Sequence, residues 1–202
     1  MTESQRQGWS FVGFPIAGLL SGLLFVGFSR YFDFSWFSTS LAAAVFGTLN
    51  AFCMYYFFSL YSGFRRLLFV FVAESVFAWV SSVWVATIIY LLTPDNHPPK
   101  SNIHDPSALF SGGFVGAFIL LGGALRLMFP SIKLSRAAVT SFSGALIGGL
   151  LGICRSSDVW GIVIWQTGMS FILCLGLWST GWPWLSPRRK NVPKRSSRTE
   201  VT

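Results

Sequence analysis

Of the 202 residues, 52% are hydrophobic and only 11% charged, and the mean hydropathy is +0.58. Water-soluble globular chains carry about 25% charged residues, so this composition excludes an ordinary soluble domain. The formal charge of +8 does not imply nucleic acid either. Its basic residues sit at the edges of apolar runs and in the last fifteen positions, where Lys and Arg set membrane orientation and meet anionic headgroups.

A helix crossing about 30 Å of hydrocarbon needs about 20 largely apolar residues. In chain order, segments 10–29, 36–61, 67–93, 108–129, 134–153 and 158–181 meet that requirement. Helix is the required conformation, because an isolated strand leaves its backbone polar groups unpaired in lipid. The expected fold is an all-α bundle of six transmembrane helices in one domain, 1–181, followed by a basic tail, 182–202, expected to be disordered. The first segment is expected to be a retained helix and not a signal peptide. Its apolar run is long, Arg6 stands alone beside Glu3, and no A-x-A-like site follows. The second and third segments exceed the minimum, which tilt absorbs. Between the third and fourth lies residues 94–107, with Pro94, Pro98, Pro99 and Pro106, dividing the chain into two groups of three helices.

With the N-terminus inside, Arg6, Arg65, Arg66, Arg126, Lys133, Arg136, Arg188, Arg189, Lys190, Lys194, Arg195 and Arg198 fall on one side, and Arg30, Lys100 and Arg155 on the other. Positive charge marks the cytoplasmic side, so both termini are expected there, in the cell (inner) membrane. The tail cations Arg188, Arg189, Lys190, Lys194, Arg195 and Arg198 are expected to touch anionic lipid. Trp9, Tyr31, Trp36, Tyr61, Trp160, Trp182 and Trp184 fall near the span ends, as interfacial aromatics do.

The two groups of three share a pattern. Their first helices carry Gly18/Gly22 and Gly112/Gly116. Their second helices carry Ala43/Gly47/Ala51 and Gly144/Gly148/Gly152, and their third are rich in aromatics. Repeats of three helices must run in opposite directions, an inverted repeat of the kind frequent in transporters. The same small residues also serve plain helix packing in lipid, so these glycines are expected at helix contacts, within the chain or towards a second copy or a membrane-protein partner.

Glu74 is the leading candidate for chemistry. It lies about 12 Å past Arg66 at 1.5 Å per residue, where a carboxylate must be protonated, paired or facing water. Asn50 sits at a similar depth and is the expected partner. Gln166 lies about 12 Å into the last span, at another level, as interhelical glue or part of the same pathway. Arg126 is expected to snorkel to headgroups. His97 and His104 beside Asp95 and Asp105 match no compact metal motif, and Cys53, Cys154 and Cys174 suggest neither a disulfide framework nor a metal site. With no nucleophile motif, no phosphate loop, and no His or Lys in a span, neither an enzyme nor a cofactor is expected. Two functions remain: a small-solute or ion transporter or channel-like protein, favoured by Glu74, and a non-catalytic membrane subunit or assembly scaffold, favoured by short loops and packing glycines.

Overall fold

A computed structural model describes residues 5, 8–29, 36–58, 64–93, 106–128, 134–153 and 159–179. Among them there are six long α-helices: α1 (Ser10–Ser29), α2 (Trp36–Phe58), α3 (Phe64–Leu92), α4 (Pro106–Met128), α5 (Leu134–Ile153) and α6 (Val159–Ser179). The six expected segments therefore each correspond to one helix, with ends that move by a few residues. The largest shift is at α3, which starts before Arg65 and Arg66 and runs for 29 residues. Two exposed arginines do not end a helix whose backbone bonds are already made. Pro15 lies inside α1 without interrupting it.

Over their described residues, five of these helices, all but α5, are long and apolar enough to cross a bilayer. In α5 the apolar stretch among the described residues is Ala137–Ile153. The distribution of polarity is the reverse of a soluble bundle. Large apolar side chains such as Phe69, Phe77, Trp84 and Leu91 face outward, while Ser21, Asn50, Glu74, Ser75, Ser82, Gln166 and Ser170 are buried. An exterior of that kind is stable against lipid and not against water. The chain is an integral, multi-pass, all-α membrane protein.

Each helix packs on its sequence neighbours, and α6 closes back on α1, so the bundle is a ring; α4 also touches α6 across it. Small residues set the closest crossings. A Cβ added at Gly22 of α1 would lie 2.7 Å from Val163 Cα of α6. At Gly47 of α2 it would lie 2.9 Å from Val72 Cα of α3. Helix α4 is lined with small residues on two faces. Gly112 and Gly116 meet Ser82, Ala78 and Ala86 of α3, and Gly113 meets the backbone of Gly148 and Gly149 on α5. The α3–α4 crossing is also bonded, with Ser82 Oγ donating to Gly112 O at 2.7 Å. At one end of the α1–α6 pair, Trp178 Nε1 and Cys174 Sγ both donate to Ser10 Oγ, at 3.1 and 3.4 Å, and Phe11 stacks on Trp178 at 4.9 Å.

Candidate functional site: a polar cluster on the bundle axis

Hydroxyls in lipid commonly satisfy themselves by bonding back to the carbonyl one turn earlier. Thr48, Thr87, Thr93, Ser141 and Thr167 do so, at 2.7–2.9 Å. Ser21 instead reaches across from α1, donating to Gln166 Oε1 on α6 at 2.6 Å. Ser75 and Ser170 do neither. Their hydroxyls are buried with no hydrogen-bond partner among the described residues, as are Asn50 Oδ1 and Glu74 Oε2. Leaving polar groups unpaired in a low-dielectric interior is costly. These unpaired groups therefore mark the candidate positions.

Of these four residues, Ser75 also lines a small void between the helices. It is lined by Ala43 and Phe46 of α2, Ser75, Ala78 and Trp79 of α3, Gly116 and Leu120 of α4, and Trp165 and Gln166 of α6. Its volume, about 10 Å³, suits roughly one water-sized occupant. Trp79 and Trp165, both in the lining, meet edge to face, with ring centroids 5.5 Å apart and planes at 71°, the offset geometry that aromatic quadrupoles prefer. The lining is mostly apolar, and no basic side chain belongs to it.

Glu74 precedes Ser75 on α3 and is the single acidic residue in the described helices. It is 9% exposed. Its carboxyl occupies the space where Gly123 of α4 would carry a Cβ, so the absence of a side chain at 123 makes its seat. The pairing with Asn50 expected from depth is not made. Asn50 Nδ2 donates to Phe46 O on its own helix at 2.9 Å, and Asn50 Oδ1 and Glu74 Oε2 each lack a partner among the described residues. Equal depth was insufficient, because the two side chains serve different crossings: Glu74 the α3–α4 groove, and Asn50 its own helix. Gln166 reaches the void and is also bonded across α1–α6, so glue and lining are one residue.

The remaining sequence candidates fall as follows. Gly18 and Gly22 face α6, Gly47, Gly112 and Gly116 face α3, and Gly144, Gly148 and Gly152 face α4, with Gly144 and Gly148 also reaching α6. Arg126 is exposed in the last turn of α4. The tail residues Arg188, Arg189, Lys190, Lys194, Arg195 and Arg198, as well as His97, His104, Asp95, Asp105, Lys100, Cys154 and Arg155, lie outside the described residues. Among the described residues no group of three or more His, Cys, Asp or Glu is placed to hold a metal ion. Missing from the sequence reading are Gly123, Ser75 and the void-lining role of Trp79 and Phe46. The consecutive pair Gly122–Gly123 was the available signal for the first, since two adjacent glycines on a helix supply two faces of close approach.

Comparison with family models, curated proteins and solved structures finds no match. Function must therefore be argued from the site.

Proposed function

We propose that this protein is a small-solute or ion transporter or channel-like protein, without enzymatic activity, whose pathway passes through the axial polar cluster. One observation supports this reading most: the sole acid of the described helices is buried, has an unpartnered oxygen, and precedes Ser75, which lines a void formed by helices from both halves of the chain. A charged Asp at the centre of a membrane helix costs about 2.5–3.5 kcal/mol on insertion scales. A scaffold has no use for such a carboxyl, whereas a pathway for protons or cations does.

The three-helix repeat is part of the same proposal. Exchanging the halves carries α1 onto α4 and α6 onto α3, and the paired glycines follow: Gly18 and Gly22 pack on α6, Gly112 and Gly116 on α3. The second helices depart from that rule, since Gly47 packs on α3 of its own half while Gly152 packs on α4 at Leu109. The distribution of Lys and Arg supports both termini on the cytoplasmic side of the cell membrane, with the 182–202 tail against anionic lipid as part of this proposal.

The test is flux in proteoliposomes against a panel of protons, monovalent cations and small polar solutes. Wild-type protein is expected to carry one of them, and Glu74→Gln to abolish that flux while abundance and monodispersity are retained. Undiminished flux in Glu74→Gln removes Glu74 from the pathway. A scaffold is indicated instead by absence of flux for every solute, together with loss of a co-purifying partner in Gly148→Leu.

A further inference from the structure

A carboxyl held inside a membrane bundle stays ionised only where a cation pairs with it or water reaches it, and is otherwise neutral. The described residues supply neither to Glu74. Helix α3 packs on α2 and α4. No charged side chain occurs on α2, whose titratable groups, Cys53, Tyr55 and Tyr56, offer no positive charge. On α4 there is one, Arg126, exposed and three positions past Gly123. On α3 itself Arg65 and Arg66 are exposed in the first turn. None of these guanidinium groups pairs with Glu74 among the described residues, and Glu74 Oε2 has no hydrogen-bond partner there.

Solvent is kept away by the same packing. Glu74 is 9% exposed and does not line the void. Its carboxyl lies where a Cβ of Gly123 would be, so the backbone of α4 closes one side. Residues three and four apart are neighbours on a helix surface, and at those positions α3 carries Val70, Phe71, Phe77 and Ala78, none of which has a polar side chain. An alkali ion is no better served, since it needs a ring of oxygens in place of its hydration shell. Among the described residues no group of three or more His, Cys, Asp or Glu is placed to hold a metal ion. A proton needs a single carboxyl oxygen.

We infer that Glu74 is a proton-binding site, held as a neutral carboxylic acid in the α3–α4 groove by the missing side chain at Gly123. The proton is bound at neutral pH and lost as pH rises. This narrows the transport reading from ions in general to protons and rests on that reading for its use, although occupancy itself is measured without flux.

The experiment uses the full chain in phosphatidylcholine vesicles and takes infrared difference spectra between wild type and Glu74→Gln, from neutral to alkaline pH. The expected result is a carboxylic-acid C=O stretch at neutral pH that the variant lacks. It should shift in D2O, give way to a carboxylate stretch as pH rises, and stay unchanged when sodium or potassium chloride is added at constant pH. Gly123→Ala is expected to move the band, because the added methyl takes the seat of the carboxyl. Where Glu74→Gln does not fold, Glu74→Asp supplies the difference spectrum, since a carboxyl one methylene shorter leaves the seat and absorbs elsewhere. The inference is overturned by a carboxylate signal at neutral pH, by loss of the acid band on adding sodium or potassium, or by a band that Gly123→Ala leaves in place. Flux of a metal cation with Glu74 ionised overturns the proton site and leaves transport standing; an acid band without flux of any solute does the opposite.

Discussion

The α4–α5 crossing offers the sharpest test of how this bundle is held together, through Gly113→Ala. A Cβ at Gly113 would meet the carbonyl oxygen of Gly148, would lie 3.0 Å from the carbonyl carbon of Gly148, and 3.3 Å from Gly149 Cα. All three are backbone atoms, so no side chain can turn aside and the helices must part. Relief takes a shift of about 1 Å, which forfeits a quarter to a half of each dispersion contact it stretches. Over roughly two dozen atom pairs at about 0.15 kcal/mol each, the loss is about 1–2 kcal/mol, within the 1–3 kcal/mol typical of overpacking. Replacing Gly by Ala also favours the helix by up to about 1 kcal/mol, which masks part of that loss. Gly27→Ala is the matched control, because a Cβ there meets nothing within 4 Å and carries the same propensity gain. Unfolding in mixed micelles at rising SDS mole fraction should place Gly113→Ala about 1–3 kcal/mol below Gly27→Ala. Equal stability of the two, within about 0.5 kcal/mol, refutes the close backbone crossing.

Three further outcomes are expected. Ser21→Ala removes the donor to Gln166 Oε1, and should lower stability in the same assay by about 0.6–2 kcal/mol, the range for interhelical hydrogen bonds in membranes; the same variant in a Gln166→Leu background should cost less, and strict additivity counts against the bond. Gly123→Ala should act on Glu74 and not on the backbone, because the atom in the way is the far end of a flexible side chain; flux should fall with little loss of stability, and a variant as active as wild type rejects the seat. Impermeant amine labelling of intact cells should modify Lys100 and spare Lys194, as the alternation of basic residues requires; labelling of both from the same face contradicts the threading.

Element positions were legible because hydrophobic length is a one-dimensional signal. A run such as 10–29, free of charge, has a single low-energy conformation in lipid, and α1 covers the same residues. Helix contacts were legible in kind, since small residues four apart are where backbones approach, but not in partner. Nothing in the sequence says that Gly112 faces α3 while its neighbour Gly113 faces α5, since the two lie about 100° apart on one helix and each suits either neighbour. The candidate site suffered from the same limit. Depth along a helix follows from residue count, so Glu74 and Asn50 were placed at similar levels, but rotation about the helix axis depends on packing that only the assembled ring specifies. Asn50 turned to Phe46 O, and Glu74 to the gap at Gly123.

The pattern of satisfaction among the buried polar groups bears on function more than any single residue does. Hydroxyls with no evident task, such as Thr48, Thr87 and Thr167, bond to their own helices, and such residues are tolerated in lipid at little cost. Ser82 serves a crossing, and Ser21 serves another. Among the groups left after packing and self-satisfaction have taken their share are Asn50 Oδ1, Glu74 Oε2, Ser75 Oγ and Ser170 Oγ, on α2, α3 and α6. Had the chain been selected for a tight bundle alone, Ala at 74 and 75 would remove that cost, because neither side chain bonds a neighbouring helix among the described residues. A polar interior that packing does not require is the physical reason to look for a ligand inside this ring and not only at its edges.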